Sequence, residues 1–458
     1  MFNKILIANR GEIAVRVIRA CREMGIKTVA VYSEADRESR HLALADEAVC
    51  IGPGPSTQSY LNYARVLAAA EITGADGIHP GYGFLSENAA FARACAERNI
   101  VFIGPPAEAI SSLGDKMAGK KLAIRSNVPV VPGTSGAVDL KKLKEIEALG
   151  FPVMVKASAG GGGKGLRIVA TAQQLRGEIE RAAAEAQAAF GNDSVFVEKF
   201  IVRPRHVEIQ ILADRHGHVV ACPERDCTVQ RRHQKLIEES PSPSVTPEIR
   251  RQMQEAAIRL AQSCGYHNVG TVEFLLDPDG RFYFIEVNTR LQVEHTVTET
   301  VTGLDLCREQ ILLAAGEKLS FDQARASEIR CHAIENRINA EDAERDFAPC
   351  PGKITGLVLP DGPGVRVDTH LYAGYTVPTY YDSLLAKLIV SGADRERAIA
   401  RALRALAEFR VDGISTTIPF HQKVLANAQF QTSDFDTSFV DRLQEKTKPS
   451  SQNGKTHG

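Results

Sequence analysis

Two stretches of this chain carry residue types that do chemistry at close spacing. The first is Phe284-Ile285-Glu286-Val287-Asn288-Thr289-Arg290-Leu291-Gln292-Val293-Glu294-His295. Read as an extended chain, its odd positions (Ile285, Val287, Leu291, Val293) enter a core, and its even positions line up Glu286, Asn288, Arg290, Gln292 and Glu294. A solvated strand face also alternates, but the order of groups here favours chemistry. Oxygen ligands suit a hard cation, an arginine fork suits a small oxyanion, and a carboxylate beyond the arginine suits proton removal. The second stretch is Ser158-Ala159-Gly160-Gly161-Gly162-Gly163-Lys164-Gly165, set between the strands Phe151–Ala157 and Leu166–Val169. Consecutive glycines let backbone N–H groups approach phosphate oxygens. Gly165 follows Lys164 where a Walker A loop has Ser or Thr, and a strand follows where that motif has a helix. Strand–loop–strand predicts a flap that closes over a nucleotide, with Lys156 near the phosphates.

The elements around the first stretch sharpen it. Thr271–Leu276 reads as a strand, Asp277-Pro278-Asp279-Gly280 as a turn, and Arg281–Glu286 as the returning strand. A two-residue turn at Asp279-Gly280 sets Glu273 opposite Glu286. Two ionised carboxylates about 5 Å apart repel by about 3 kcal/mol at an effective dielectric near 20. Protonation, divergence into solvent or a bound cation relieves that repulsion. With Asn288 on the same face, we read Glu273, Glu286 and Asn288 as a magnesium site for one or two ions. Mg²⁺ uses few carboxylates and completes its shell with water and phosphate, so the metal implies a nucleotide.

At 458 residues the chain is too long for one core, and two to four domains are expected. A formal net charge of -1 argues against wholesale nucleic-acid binding. No apolar run reaches the ~20 residues of a membrane span. Met1–Asn9 reads as a strand rather than a signal peptide. The nine cysteines are scattered, with no Cys-x-x-Cys pair, and Cys222 and Cys227 lack a second pair to complete a zinc site. These features place the protein in the cytoplasm. The pattern Lys4–Ala8, Glu12–Met24, Lys27–Tyr32 is a βαβ unit that returns through Gly74–His79 and Ile100–Ile103. It predicts a parallel sheet with helices on both faces. Hairpins mixed with helices follow, and a third region opens with the alternating strand His332–Ile338 and closes with a helix near Arg395–Phe409.

Taken together, these motifs resemble those of the ATP-grasp enzymes, and within them biotin carboxylase. The runs that carry the resemblance are Ala8–Ala14, His79–Asn88, Gly160–Gly165, Glu224–Cys227, Gln230–Lys235, Asn288–His295 and Arg337–Asp342. The resemblance implies a mixed α/β and α+β fold. It has an N-terminal parallel-sheet (pre-ATP-grasp) domain over 1–113 and an ATP-grasp domain over 114–327 with a mobile glycine-rich lid near 128–204. A C-terminal biotin carboxylase domain follows over 328–445, and the polar tail 446–458 is expected to be disordered. By the same resemblance Lys116 and Lys156 contact ATP and Gly162 and Gly163 cover its phosphates. Glu198, Lys199 and Ile201 hold adenine, and His206 and His233 add nucleotide contacts. Lys235, Arg290, Gln292 and Val293 bind bicarbonate, Glu294 is the general base, Arg337 stabilises the biotin enolate, and Tyr82 lies in the substrate site. Taken alone, Lys116 and Lys199 read as solvated lysines, His206 as a strand histidine and Tyr82 as a turn residue. Arg231-Arg232 reads alone as a solvated patch offset by Glu238-Glu239.

The implied reaction uses ATP and Mg²⁺ (or Mn²⁺) to convert bicarbonate to carboxyphosphate and then carboxylate biotin. No methionine stands in a Met-Lys-Met biotinylation sequence, so biotin is expected on a separate carrier protein. The carboxyl group is expected to leave through a separate carboxyltransferase, and a homodimer is the family's usual state. Acetyl-CoA is the default final acceptor, which implies a role in fatty acid biosynthesis. The run His295-Thr296, where acetyl-CoA carboxylase subunits usually carry Pro after the His, is closer to pyruvate carboxylase. Another ATP-grasp ligase would not need Arg290, Gln292, Glu294 and Arg337 together. A non-enzymatic assembly protein has no reason to keep them all.

Overall fold

The computed structural model describes residues 1–445 except 135, 142 and 158–165. The expectations for Gly162, Gly163 and the tail 446–458 therefore lie outside the described residues. The chain packs as two compact units. The first comprises Met1–Val130, Val207–Asp226 and Ile237–Asp434; the second comprises Val131–His206, Cys227–Leu236 and the chain from Phe435.

The first unit opens with a five-stranded parallel sheet. Its strands are β1 (Lys4–Ile7), β2 (Lys27–Tyr32), β3 (Glu47–Cys50), β4 (Gly77–His79) and β5 (Val101–Phe102), in the order β3-β2-β1-β4-β5. Short apolar strands covered on both faces suit a parallel sheet, and this order is doubly wound. The helix Gly11–Glu23 returns the chain from β1 to β2. It buries Ile13, Val17, Ile18 and Cys21 at helical spacing against Ile5 and Ile7.

The second unit holds a three-stranded antiparallel sheet of β6 (Val153–Ala157), β7 (Leu166–Val169) and β8 (Val195–Lys199), ordered β7-β6-β8. The helix Ala172–Phe190 lays Leu175, Ile179 and Ala182 on Val153, Val155, Val169 and Val197. The glycine run sits in the sequence between β6 and β7.

The site is carried mainly by a long antiparallel sheet. Its strands are β9 (Arg205–Ala213), β10 (Val219–Ala221), β11 (Arg225–Arg231), β12 (Gln234–Ser240), β13 (Asn268–Leu276), β14 (Phe282–Asn288) and β15 (His332–Asn339), with Leu384–Gly392 and Val365–Thr369. The order is β14-β13-β9-β11-β12-β15, then Leu384–Gly392 and Val365–Thr369, with β10 beside β9. In the first unit β11 contributes Arg225 and Asp226, opposite Glu208 and Val207, and β12 contributes Ile237–Ser240, opposite Asn336–Ala333 of β15.

The hairpin differs in detail from the sequence reading. Leu276 faces Phe282, and the Asp277 amide donates to the Arg281 carbonyl, so three residues close the loop rather than two. Gly280 takes φ +82°, the left-handed position that ends such a loop and favours glycine. That loop alone would put Glu273 one residue out of register with Glu286. A bulge restores the match: Phe274 faces Phe284 while Glu273 faces Glu286, which leaves Ile285 as the extra residue. The expected pairing of the two acids is therefore present, reached by a loop and a bulge whose offsets cancel.

The chain beyond Asn288 is also not the continuous strand its alternation predicts. β14 ends at Asn288, and Glu294 is the N-cap residue of the helix His295–Thr302. The intervening loop is tied by its own polar groups. His295 Nδ1 lies 2.8 Å from the Gln292 carbonyl, and burial pushes this imidazole down to about 3, so it is a neutral Nδ1–H donor. Leu291 remains in the core as its apolar character requires.

Candidate active site

In the first unit, Glu273 on β13 is buried at 5% exposure and Glu286 on β14 faces it. Asn288 Nδ2 donates to Glu273 Oε1 at 2.8 Å, and Gln292 Nε2 reaches the same oxygen at 3.3 Å. The Asn288 Oδ1 accepts from Arg290 Nη2 at 3.1 Å. Two facing carboxylates and an adjacent amide oxygen form a hard-oxygen donor set that fits a magnesium ion. Full use of the Asn288 oxygen requires its amide to turn from Arg290 toward Glu273.

Arg290 is held on every side. Its Nε donates to Glu87 Oε2 at 2.9 Å and its Nη1 to Gln292 Oε1 at 2.9 Å. Glu87 also accepts from the Thr289 amide at 3.0 Å, so one carboxylate fixes both the arginine and the chain that carries it. Glu87 falls in the run His79–Asn88, but no spacing rule pairs residue 87 with residue 290.

Glu294 is fully buried, and its Oε2 accepts from Arg337 Nη2 at 2.8 Å. Arg337 is on β15 and also donates through Nε to Glu238 Oε1 at 2.6 Å. Its guanidinium is held charged: burial works against the charge, and Glu238, Glu294 and Glu335 outweigh it. The Arg337 carbonyl accepts from Thr417 Oγ1 at 2.9 Å and meets His421 Nε2 at 2.6 Å, which pins the strand at this residue.

Behind the loop stands Lys387, fully buried on the strand Leu384–Gly392 and directly opposite Arg337. Its Nζ donates to the Val293 carbonyl at 2.8 Å and lies 3.4 Å from Glu12 Oε1. Glu12 in turn accepts from the Tyr82 hydroxyl. Burial, opposed by Lys387, pushes Glu12 up to about 7. Sequence reasoning assigned no role to Glu12, Glu87, Glu238 or Lys387. It took Glu238-Glu239 as surface charge offsetting Arg231-Arg232. Both acids are instead buried, Glu238 on Arg337 and Glu239 on His332 and Arg395, and Arg231 is itself buried. A sheet covered on both faces buries its even and odd positions alike, so both neighbouring acids of β12 are enclosed.

In the second unit, Lys156 Nζ and Glu198 Oε2 form an ion pair at 2.6 Å across neighbouring strands. The Lys199 amine donates to the Gly150 and Phe151 carbonyls at 3.1 and 3.2 Å. Ile201 and His206 are buried, whereas His233 sits exposed at the tip of the β11–β12 hairpin with φ +67°. Lys235 is half-buried on β12. Lys116, in the first unit, is the first residue of the helix Lys116–Arg125. Among the described residues, the nine cysteines form no disulfide. Among the described residues, no helix is long and apolar enough to cross a membrane.

Three family models match in tandem. The biotin carboxylase N-terminal domain covers residues 1–110, the carbamoyl-phosphate synthase L chain ATP-binding domain 115–321, and the biotin carboxylase C-terminal domain 335–442. A biotin carboxylase of Nostoc sp. is 54% identical over 96% of this chain and 99% of its own length. A pyruvate carboxylase subunit of Methanothermobacter thermautotrophicus is 52% identical over 96% of this chain and 90% of its own. The biotin carboxylase domain of the Hydrogenobacter thermophilus 2-oxoglutarate carboxylase, solved as a dimer with MgADP, ADP and bicarbonate, superposes with a TM-score of 0.89. It is 46% identical over 96% of this chain and 98% of that one. With the three domains in order and half the residues identical along nearly the whole length, the chain belongs to the biotin carboxylase family and is an ATP-grasp ligase.

Proposed function

We propose that this chain carries out the first half-reaction of a biotin-dependent carboxylase. One observation carries the reading: Glu294, Arg337, Arg290 and Gln292 converge on the loop that leaves the facing acids Glu273 and Glu286. Glu273, Glu286 and Asn288 would hold Mg²⁺, or Mn²⁺ in its place, which would supply positive charge against the ATP phosphates. Lys116, Lys156, Glu198, Lys199, Ile201, His206 and His233 bind the nucleotide, and the run containing Gly162 and Gly163 covers its phosphates.

Arg290, braced by Glu87, turns its guanidinium fork to bicarbonate, with Gln292 and Val293 beside it. Glu294 takes the bicarbonate proton, and the resulting oxyanion attacks the γ-phosphorus of ATP, releasing ADP and forming carboxyphosphate. Lys235 spreads the charge on the transferred group. Carboxyphosphate splits to CO₂ and phosphate in a site closed to water. The phosphate removes the ureido N–H proton of biotin, and the nitrogen then bonds to CO₂. Arg337 stabilises the negative charge on the ureido oxygen, and Tyr82 lies at the same subsite.

Biotin arrives on a carrier protein, the carboxyl group leaves through a carboxyltransferase, and the chain works as a cytoplasmic homodimer. Acetyl-CoA is the final acceptor in this reading. The Thr296 side chain and the 52% identity to a pyruvate carboxylase subunit favour a 2-oxo acid as the second reading. ATP cleavage that needs bicarbonate and is stimulated by free biotin tests the half-reaction; cleavage indifferent to both would overturn it. Radiolabelled bicarbonate supplied with carrier protein and either type of carboxyltransferase separates the two acceptors.

A further inference from the structure

The long sheet contains a second pair of facing acids. Glu238 on β12 and Glu335 on β15 are direct cross-strand partners, as Glu273 and Glu286 are on β13 and β14. The environments differ. Glu238 and Glu335 are both 0% exposed. One oxygen of each is engaged, Glu238 Oε1 by Arg337 and Glu335 Oε2 by the Thr296 hydroxyl. The other oxygens, Glu238 Oε2 and Glu335 Oε1, are buried with no hydrogen-bond partner among the described residues. Two buried carboxylates with one idle oxygen each cannot both stay ionised without a cation or a proton.

The charged surroundings decide between those two. From β15 comes Arg337, from the adjoining loop Glu294, and from the strand Leu384–Gly392 comes Lys387, which is shared with Glu12. β11 offers Arg225, whose donors are taken by Glu208, Gln210, Thr271 and Thr298. His421 against the Arg337 carbonyl is pushed down to about 4 by burial and is neutral. The other face of β12 carries Glu239, matched by His332 and Arg395. Arg337 and Lys387 are thus the cations that act on Glu238 and Glu335, and each is shared with another buried acid, Arg337 with Glu294 and Lys387 with Glu12.

We infer that Glu238 and Glu335 share a single proton at neutral pH, and that this acid–carboxylate pair is a positioning device that leaves Arg337 free to serve biotin. In the singly protonated pair the neutral carboxyl donates to its partner's idle oxygen and satisfies both. Burial, opposed by Arg337 and reinforced by Glu294 and by their mutual repulsion, holds both Glu238 and Glu335 above the ordinary carboxylate range, in keeping with a retained proton. Loss of the proton puts three full carboxylate charges around Arg337 and draws the guanidinium back from the ureido oxygen. The inference rests on the roles proposed for Arg337 and Glu294, but its spectroscopic test does not.

The test is infrared spectroscopy of the full-length enzyme at neutral pH, wild type against Glu238→Gln and Glu335→Gln, with H₂O/D₂O exchange to identify neutral carboxyls. Either glutamine leaves the remaining acid ionised, because it removes the repulsion. Both difference spectra are therefore expected to lose one neutral-carboxyl band. No lost band in either variant overturns the shared proton. The kinetic arm follows biotin carboxylation against bicarbonate-dependent ATP cleavage as pH rises. In the wild type the carboxylation rate falls about tenfold per pH unit once the pair ionises, with a smaller fall in ATP cleavage. In Glu335→Gln that selective fall is absent. A lost infrared band with an unchanged kinetic profile in Glu335→Gln would overturn the positioning role while leaving the proton in place. Loss of all bicarbonate-dependent ATP cleavage in the wild type would indict the reading of the reaction instead.

Discussion

Arg337→Lys isolates what the arginine fork does. The wild-type guanidinium makes two charge-assisted contacts from different nitrogens, Nε to Glu238 at 2.6 Å and Nη2 to Glu294 at 2.8 Å. An ammonium keeps the charge but cannot span both acids while also facing a substrate oxygen. A hydrogen bond to a charged group contributes about 1.5–3 kcal/mol, so loss of one in the transition state slows the step about 10- to 150-fold. That loss is expected in biotin carboxylation, followed with radiolabelled bicarbonate and free biotin. Bicarbonate-dependent ATP cleavage, which precedes biotin, should fall less than about fivefold. Arg337→Ala is a poorer probe, because removing the cation leaves Glu238 and Glu294 buried together and destabilises the fold by about 3–5 kcal/mol. Equal loss in both assays for Arg337→Lys would refute a role specific to biotin.

Glu294→Gln should retain ATP binding, measured by calorimetry, and lose about 10²- to 10⁴-fold in bicarbonate-dependent ATP cleavage; near-normal turnover would remove it as the base. Glu87→Gln should raise the KM for bicarbonate roughly 2- to 10-fold with little change for ATP, since this half-exposed acid braces Arg290. Asp36 is buried, and hydrogen bonds and charge from Arg10 overcome that burial and hold its carboxyl at about 2. A lowered folded-state value contributes stability above the ordinary carboxylate range, about 2 kcal/mol here, and loses it as pH falls from about 4 toward 2. Urea unfolding of Asp36→Asn should therefore lie about 2 kcal/mol below wild type at pH 7, with the gap closing in acid. A gap that does not depend on pH would contradict the assignment.

Local rules reached far into this structure where chemistry repeats along the chain. The βαβ start followed from apolar periodicity in Lys4–Tyr32, and the carboxylate pair followed from counting across a hairpin. The count succeeded although the three-residue loop at Pro278–Gly280 and the bulge at Ile285 each broke it, because their offsets cancel. Alternation misled in Thr289–Glu294, where side chains of Arg290, Gln292 and His295 bond to the loop itself and end the strand. On β12 both faces are covered, so Glu238 and Glu239, which read alone as charge offsetting a solvated Arg231-Arg232 patch, are both buried. What no spacing rule reaches is the long-range bracing. Glu87 meets Arg290, Lys387 meets the Val293 carbonyl, and Tyr82 meets Glu12 only because the first unit gathers segments far apart in sequence.

The facing acids Glu273 and Glu286 are best interrogated by titrating Mg²⁺ into the ADP-bound enzyme and following thermal unfolding. A ligand at 100 times its Kd stabilises the folded state by about 2.7 kcal/mol. The wild type should rise in Tm with a saturable midpoint, and Glu286→Gln should shift that midpoint at least about tenfold upward, while its metal-free Tm equals or exceeds that of wild type because the repulsion is gone. An unchanged midpoint, with a metal-free Tm below wild type, would show that the pair binds no ion and that the two acids are held together by something else.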